Sequence, residues 1–272
     1  EAVCKRLSCV HPTKCKLLGT DHNPIIELMR RSRQIPGVKK VLVSSGIRMD
    51  LAVESPEYVK ELAAHHVGGR LKVAPEHTDP VVLTAMKKPP VDGFSDFAGM
   101  FQKFSKAAGK PAQQIIPYFI SSHPGSGLQE MIDLALYLKR NRYQPDQVQD
   151  FIPAPMDIAT CMYYTGIDPM TMNPIFSEHS AHGRRLQRAL KQYFKSQNYY
   201  DVKEALLQAG RADLIGNGPD CLIPATPPPA ARGKNRKRKT HFAEPDMIHR
   251  IQANNTPGYR PGRPTHGRRQ KQ

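Results

Sequence analysis

A chain of 272 residues, 39% apolar and without Trp, has material for one large domain or two small ones, with part of its length left outside any core. The net charge of +16 is uneven: residues 225–272 carry 12 Lys/Arg and 2 Asp/Glu, net +10, which leaves +6 for residues 1–224. No apolar run approaches the roughly 18 residues of a membrane span, and no signal-peptide core is present. Five Cys, an odd number, argue against a secreted disulfide scaffold and for a reducing cytoplasm.

The chain opens on Glu1 rather than Met, which points to a start upstream. Residues 1–22 form a lead that holds Cys4, Cys9 and Cys15 with His11 and His22 between them. Three thiolates so close can close on one soft metal or an iron–sulfur cluster, with Cys161 or Cys221 as a fourth ligand. The alternative is a loop of reduced thiols ahead of the first helix. The spacing C-x4-C-x5-C is not that of a zinc knuckle.

Residues 23–165 alternate helix and strand. The pattern predicts a helix over 21–35, with Pro24 in its first turn. A strand over 41–43 ends on Ser44-Ser45-Gly46, and a helix then opens at Ser55-Pro56-Glu57. Leu71–Ala74 forms the next strand, which finishes on Pro75-Glu76-His77, and Asp79-Pro80 starts a short helix to Met86. Phe97, Met100, Phe101 and Phe104 recur at helical spacing within 94–108. The run Ile115–Ile120 is too apolar for a half-exposed strand and stops on Ser121-Ser122-His123 before the turn Pro124-Gly125. It reads as a buried parallel strand with its working end at that turn. A helix over 128–139 and a strand over 147–152 complete the series. Strand starts near 41, 71, 114 and 147 recur at the period of a βαβ unit, so about four parallel strands form an open half-barrel or a small doubly wound sheet of the α/β class. Residues 166–224 read as a small helical segment, with helices over 180–194 and 201–208. From 225 onward the Pro, Lys, Arg, Asn and Gly composition reads as a disordered basic tail.

In a parallel sheet the carboxyl ends of the strands carry the chemistry. Here they offer Ser45 and Arg48, then Glu76 and His77, then Ser122 and His123. This polar rim suits a ligand with amine, hydroxyl and carboxylate groups: Glu76 and His77 for an amine and a ribose hydroxyl, Arg48 or Lys72 for a carboxylate. No G-x-S-x-G, P-loop, H-E-x-x-H or G-x-G-x-x-G is present. Basic clusters at 232–239 and 260–271 would contact nucleic acid without sequence preference and in a salt-dependent way. They lack the interleaved aromatics of single-strand binders.

Several unusual strings then point to a family. Cys9-Val10-His11-Pro12, Ser45-Gly46-Ile47-Arg48-Met49-Asp50, His65-His66-Val67-Gly68-Gly69, Ala74-Pro75-Glu76-His77-Thr78, His123-Pro124-Gly125 and Met162-Tyr163-Tyr164-Thr165-Gly166 lie within a stretch, Cys4 to Pro224, that resembles the carboxyl-terminal half of the YgiQ-like radical S-adenosylmethionine proteins. The resemblance implies a partial radical-SAM-type (β/α) barrel with a [4Fe–4S] cluster and S-adenosylmethionine. It also implies that Ser45, Arg48, Glu76, His77, Ser122 and His123 face the cofactor. The family's C-x3-C-x2-C motif does not occur in this chain, and the spacing of Cys4, Cys9 and Cys15 does not match it. The expected function is therefore that of the carboxyl-terminal part of a radical S-adenosylmethionine enzyme of unknown substrate. Its partner would be the amino-terminal half of the barrel, in the same or a separate chain. The alternatives are an RNA- or ribosome-associated basic protein and an inactive fragment.

Overall fold

The computed structural model describes residues 4, 6, 8–145 and 148–232. Three parallel strands, β1 (Arg70–Glu76), β2 (Gln114–Ser121) and β3 (Gln149–Asp150), stand in the order β1-β2-β3. Residues 70–73 of β1 pair in register with residues 114–117 of β2, and the ladder then breaks until Glu76 meets Phe119. The break falls where Pro75 and Pro117 have no N–H to contribute. β3 pairs with β2 only through Ile120–Gln149 and Ser121–Asp150.

Ten α-helices surround this sheet among the described residues. Five precede β2 or flank β1: α1 (Asn23–Gln34), α2 (Met49–Ala52), α3 (Pro56–Glu61), α4 (Pro80–Ala85) and α5 (Asp92–Ala107). A π turn, Leu62–His66, continues α3. After β2 come α6 (Leu128–Arg140), α7 (Ile158–Thr165), α8 (Ala181–Lys191), α9 (Tyr199–Gln208) and α10 (Pro229–Arg232). The phenylalanine stripe of α5 buries Phe94, Phe97 and Phe101 against Leu71 and Val73 of β1, in one core shared with α2 and α3. A second core joins Phe119 of β2 to Met131, Leu134 and Leu138 of α6, Leu186 and Leu190 of α8, and Val202 and Leu206 of α9. No helix among the described residues is long and apolar enough to cross a membrane.

The strand expected at 41–43 is absent, so the sheet has three strands rather than four. The segment touches β1 through a single bridge, Ile47 to Val73. It is otherwise tethered by the Val43 N–H to the His66 carbonyl and by His66 Nδ1 to the Val41 carbonyl. Leu42 is 50% exposed, so this outer edge lacks the apolar cover that would hold a full ladder. The strand expected at 147–152 is a strand only over Gln149–Asp150 among the described residues, followed by one more bond from the Phe151 N–H to the Ser121 carbonyl at 2.7 Å; residues 146 and 147 lie outside those described. Residues 163–165 close α7, which is stopped by Gly166 at φ +67°, a conformation glycine adopts without strain. The first residues assigned to the tail also fold: α10 buries Ala231 in the second core, and the Tyr199 hydroxyl donates to the Ala225 carbonyl at 3.2 Å. The basic clusters from 233 onward lie outside the described residues.

Candidate functional site

The carboxyl ends of the three strands converge on a cavity of about 1290 Å³. Its walls include Glu76 at the end of β1, His123 after β2 and Asp150 of β3 with Phe151 beyond it. Lys87 and Lys88 follow α4, and Arg184 and Arg188 stand on α8. Ile120, Met156 and Ile158 supply apolar surface. The backbone here is forced: Glu76, Lys87, Ser122 and Met156 have φ between +56° and +70°, which costs non-glycine residues about 1–2 kcal/mol each. Such strain persists only where neighbours over-determine the conformation.

Those neighbours are visible. The Gln187 side chain of α8, 1% exposed, accepts from the Ser122 N–H at 2.7 Å and donates to the Ser126 carbonyl at 2.8 Å. It therefore grips the turn after β2 at both ends. Lys191, fully buried, donates to the carbonyls of Phe119 and Gln149 and so stitches β2 to β3. Arg184 donates to the Phe151 carbonyl at 2.6 Å, and Arg188 pairs with Asp150. Asp150 also accepts from the Ser121 hydroxyl at 2.6 Å. These four α8 residues lie at i, i+3, i+4 and i+7, one face of a helix turned toward the strand tips.

Charge is arranged in opposed pairs. Glu76 lies 3.3 Å from Lys88; burial holds its carboxyl above the usual range, against the pull of that ammonium. Burial lowers Lys191 to about 7 and His77 to about 4. His123 is also held below the ordinary imidazole value, chiefly by burial.

The expected site residues separate into three groups. Glu76 and His123 line the cavity. His77 and Ser122 stand just behind it, both fully buried. His77 braces the rim: its Nδ1 accepts from the Asp79 N–H at 3.0 Å and its Nε2 faces the Ser126 hydroxyl at 3.3 Å. Both nitrogens are thus spent on protein groups, which takes His77 out of contact with a ribose hydroxyl. The Ser122 hydroxyl is buried without a partner. Ser45 and Arg48 are not brought to the cavity. Ser45 is exposed beside the bridge to mid-β1, and Arg48 is bound to Asp50 at 2.9 Å. Lys72 lies over the Tyr118 ring, 5.7 Å from its centre, at a second cavity of about 1150 Å³ toward the other end of the strands.

Cys4 and Cys9 are exposed and Cys15 is half-buried, all with free thiols. A backbone bond from Cys15 to the Cys9 carbonyl, 2.7 Å, closes the loop between them. Among the described residues no three His, Cys, Asp or Glu side chains are grouped so as to hold a metal ion. Sequence reasoning missed Arg184, Gln187, Arg188 and Lys191, although their helical spacing beside Leu186 and Leu190 was the available signal.

Comparison with known proteins fits this geometry into a family. A UPF0313 protein of Pseudomonas aeruginosa is 49% identical over 244 residues, 88% of this chain and 32% of the relative. The UPF0313 protein YgiQ of Escherichia coli K12 is 46% identical over 230 residues, 83% of this chain and 31% of the relative. The chain belongs to the YgiQ-like UPF0313 family. It spans about a third of the length of these UPF0313 relatives. A family model described as a domain of unknown function, DUF3362, matches residues 146–270. That match begins just ahead of β3 and takes in α8, so the helix that pins the strand tips belongs to the DUF3362 part of this UPF0313 chain.

Proposed function

We propose that this chain is the carboxyl-terminal part of a radical S-adenosylmethionine enzyme and that the cavity at the strand tips takes S-adenosylmethionine. The observation that carries this reading is the convergence of three parallel strand ends, with their strained backbone, on one cavity with ample room for a nucleoside. The donor set fits a zwitterionic nucleoside. Glu76 and Asp150 offer carboxylates to an ammonium, and Lys88, Arg188 and Arg184 offer cations to a carboxylate. Phe151 and Ile120 provide an apolar surface for a base. When bound, the cofactor would supply the hydrogen-abstracting chemistry, while these residues bind and orient it.

The residues present do not fit a [4Fe–4S] cluster: among the described residues no cysteine lines the cavity. On this reading the iron ligands, and the remaining strands of a partial (β/α) barrel, come from the part of the UPF0313 relatives that this chain does not span.

Titration calorimetry of the chain with S-adenosylmethionine and with S-adenosylhomocysteine tests the reading. Saturable binding at one site per chain is expected, weakened roughly tenfold or more in Glu76→Gln, since bonds to charged groups contribute about 1.5–3 kcal/mol. Absence of heat at millimolar ligand would overturn it.

A further inference from the structure

We propose that His123 selects the occupant of this cavity by accepting a hydrogen bond, so the ligand presents an N–H or O–H group to its Nε2 atom. The inference deepens the proposed function and relies on it only for the identity of the ligand.

The tautomer follows from one contact. Nδ1 of His123 is 2.9 Å from the Pro124 carbonyl oxygen. A carbonyl can only accept, so Nδ1 carries the hydrogen and Nε2 keeps its lone pair. No described residue occupies that lone pair. The ring is 5% exposed, lines the cavity and stands edge-on to Phe151 with ring centres 5.1 Å apart. That acceptor is open to the cavity, where a donor on the occupant can meet it.

The ring is also held still. On one side the Ser122 N–H is bound by Gln187, and on the other the Ser126 N–H donates to the His123 carbonyl at 2.9 Å. The Gly125 N–H donates to the Phe176 carbonyl at 2.7 Å. The backbone strain at Ser122, φ +60°, is what swings the next residue toward the cavity. The other acceptors lining the cavity are charged carboxylates: Glu76 beside Lys88, Asp150 beside Arg188, and Asp157, which caps the Ala159 N–H; Arg184 is a donor only. Lys87 is a donor only, and His77 lies behind with both nitrogens bonded. Among these groups only His123 offers a fixed, neutral acceptor.

Two measurements test this. Nitrogen-15 spectra of the histidine-labelled chain at pH 7 should show His123 protonated at Nδ1 and bare at Nε2; the opposite tautomer would overturn the proposal without any ligand. The second uses S-adenosylhomocysteine and its 2′-deoxy, 3′-deoxy and N6,N6-dimethyl analogues as probes. His123→Asn keeps a donor for the Pro124 carbonyl but has no atom at the Nε2 position. One analogue should bind the wild type about tenfold more weakly than the parent, yet bind His123→Asn no more weakly than the parent does. Equal losses in both proteins for every analogue, or parent binding by His123→Asn equal to wild type, would overturn it. No binding of any probe by the wild type would instead overturn the cofactor reading, and the tautomer measurement would still decide the acceptor.

Discussion

A buried imidazole with both nitrogens bonded resists protonation, and His77 is such a group. The unfolded chain holds its proton up to the ordinary value of 6.5, whereas the folded chain takes it up only near 4. Between those values the unfolded state binds more protons, so acid destabilises the fold, by at most about 3 kcal/mol from this residue. Chemical denaturation across pH should show stability rising from about pH 4 to 6.5, and a shallower rise in His77→Gln. An equal rise in that variant would assign the effect elsewhere. At this scale the sequence was half legible. Glu76 and His123 stood out because they follow apolar runs, and both line the cavity. Ser45 and Arg48 were carried along by a strand that does not form. Whether a histidine at a rim faces a ligand or braces a turn depends on partners such as Asp79 and Ser126, which no local pattern reveals.

Elements were easiest to read where their apolar spacing was long. The stripe Phe97–Phe104 became α5 and the run Ile115–Ile120 became β2, because burial decided both. Three apolar residues at 41–43 could not hold an edge without cover, and β3 is defined by partners rather than by its own propensity. Lys191 and Ser121 hold β3 where its two-residue ladder alone would not. Short helices rely on caps in the same way. Asp79 accepts from the N–H groups of Val81 and Val82, both at 2.9 Å, and α4 is only six residues long. Asp79→Ala should cost about 1 kcal/mol in a denaturant melt. The bond to the His77 ring should remain, because its donor is the backbone N–H of residue 79, which alanine keeps. A cost below about 0.3 kcal/mol would show that the cap is dispensable.

Across the whole molecule, the two cores meet on the sheet, one on β1 and one on β2, and the second is completed by residues of the DUF3362 match. That part of the chain therefore behaves as a wall of the fold. A chain ending at residue 145 would lose β3, α8 and α9 and expose Phe119, Met131, Leu134 and Leu138. It should lose cooperative thermal unfolding, and a sharp transition near that of the full chain would contradict this. The concentration of charge beyond residue 225 was plain from composition, whereas the dependence of β2 on α8 was not, since it arises from contacts about 70 residues apart such as Lys191 with Phe119.

Gln187 has a thermodynamic corollary. Because one carboxamide clasps the polypeptide on both sides of His123, the rotation of α8 and the aim of that imidazole are a single degree of freedom. A partner that favoured one rotation of α8 over another would then alter affinity inside the hollow, and an occupant of the hollow would alter the grip of that partner by the same factor.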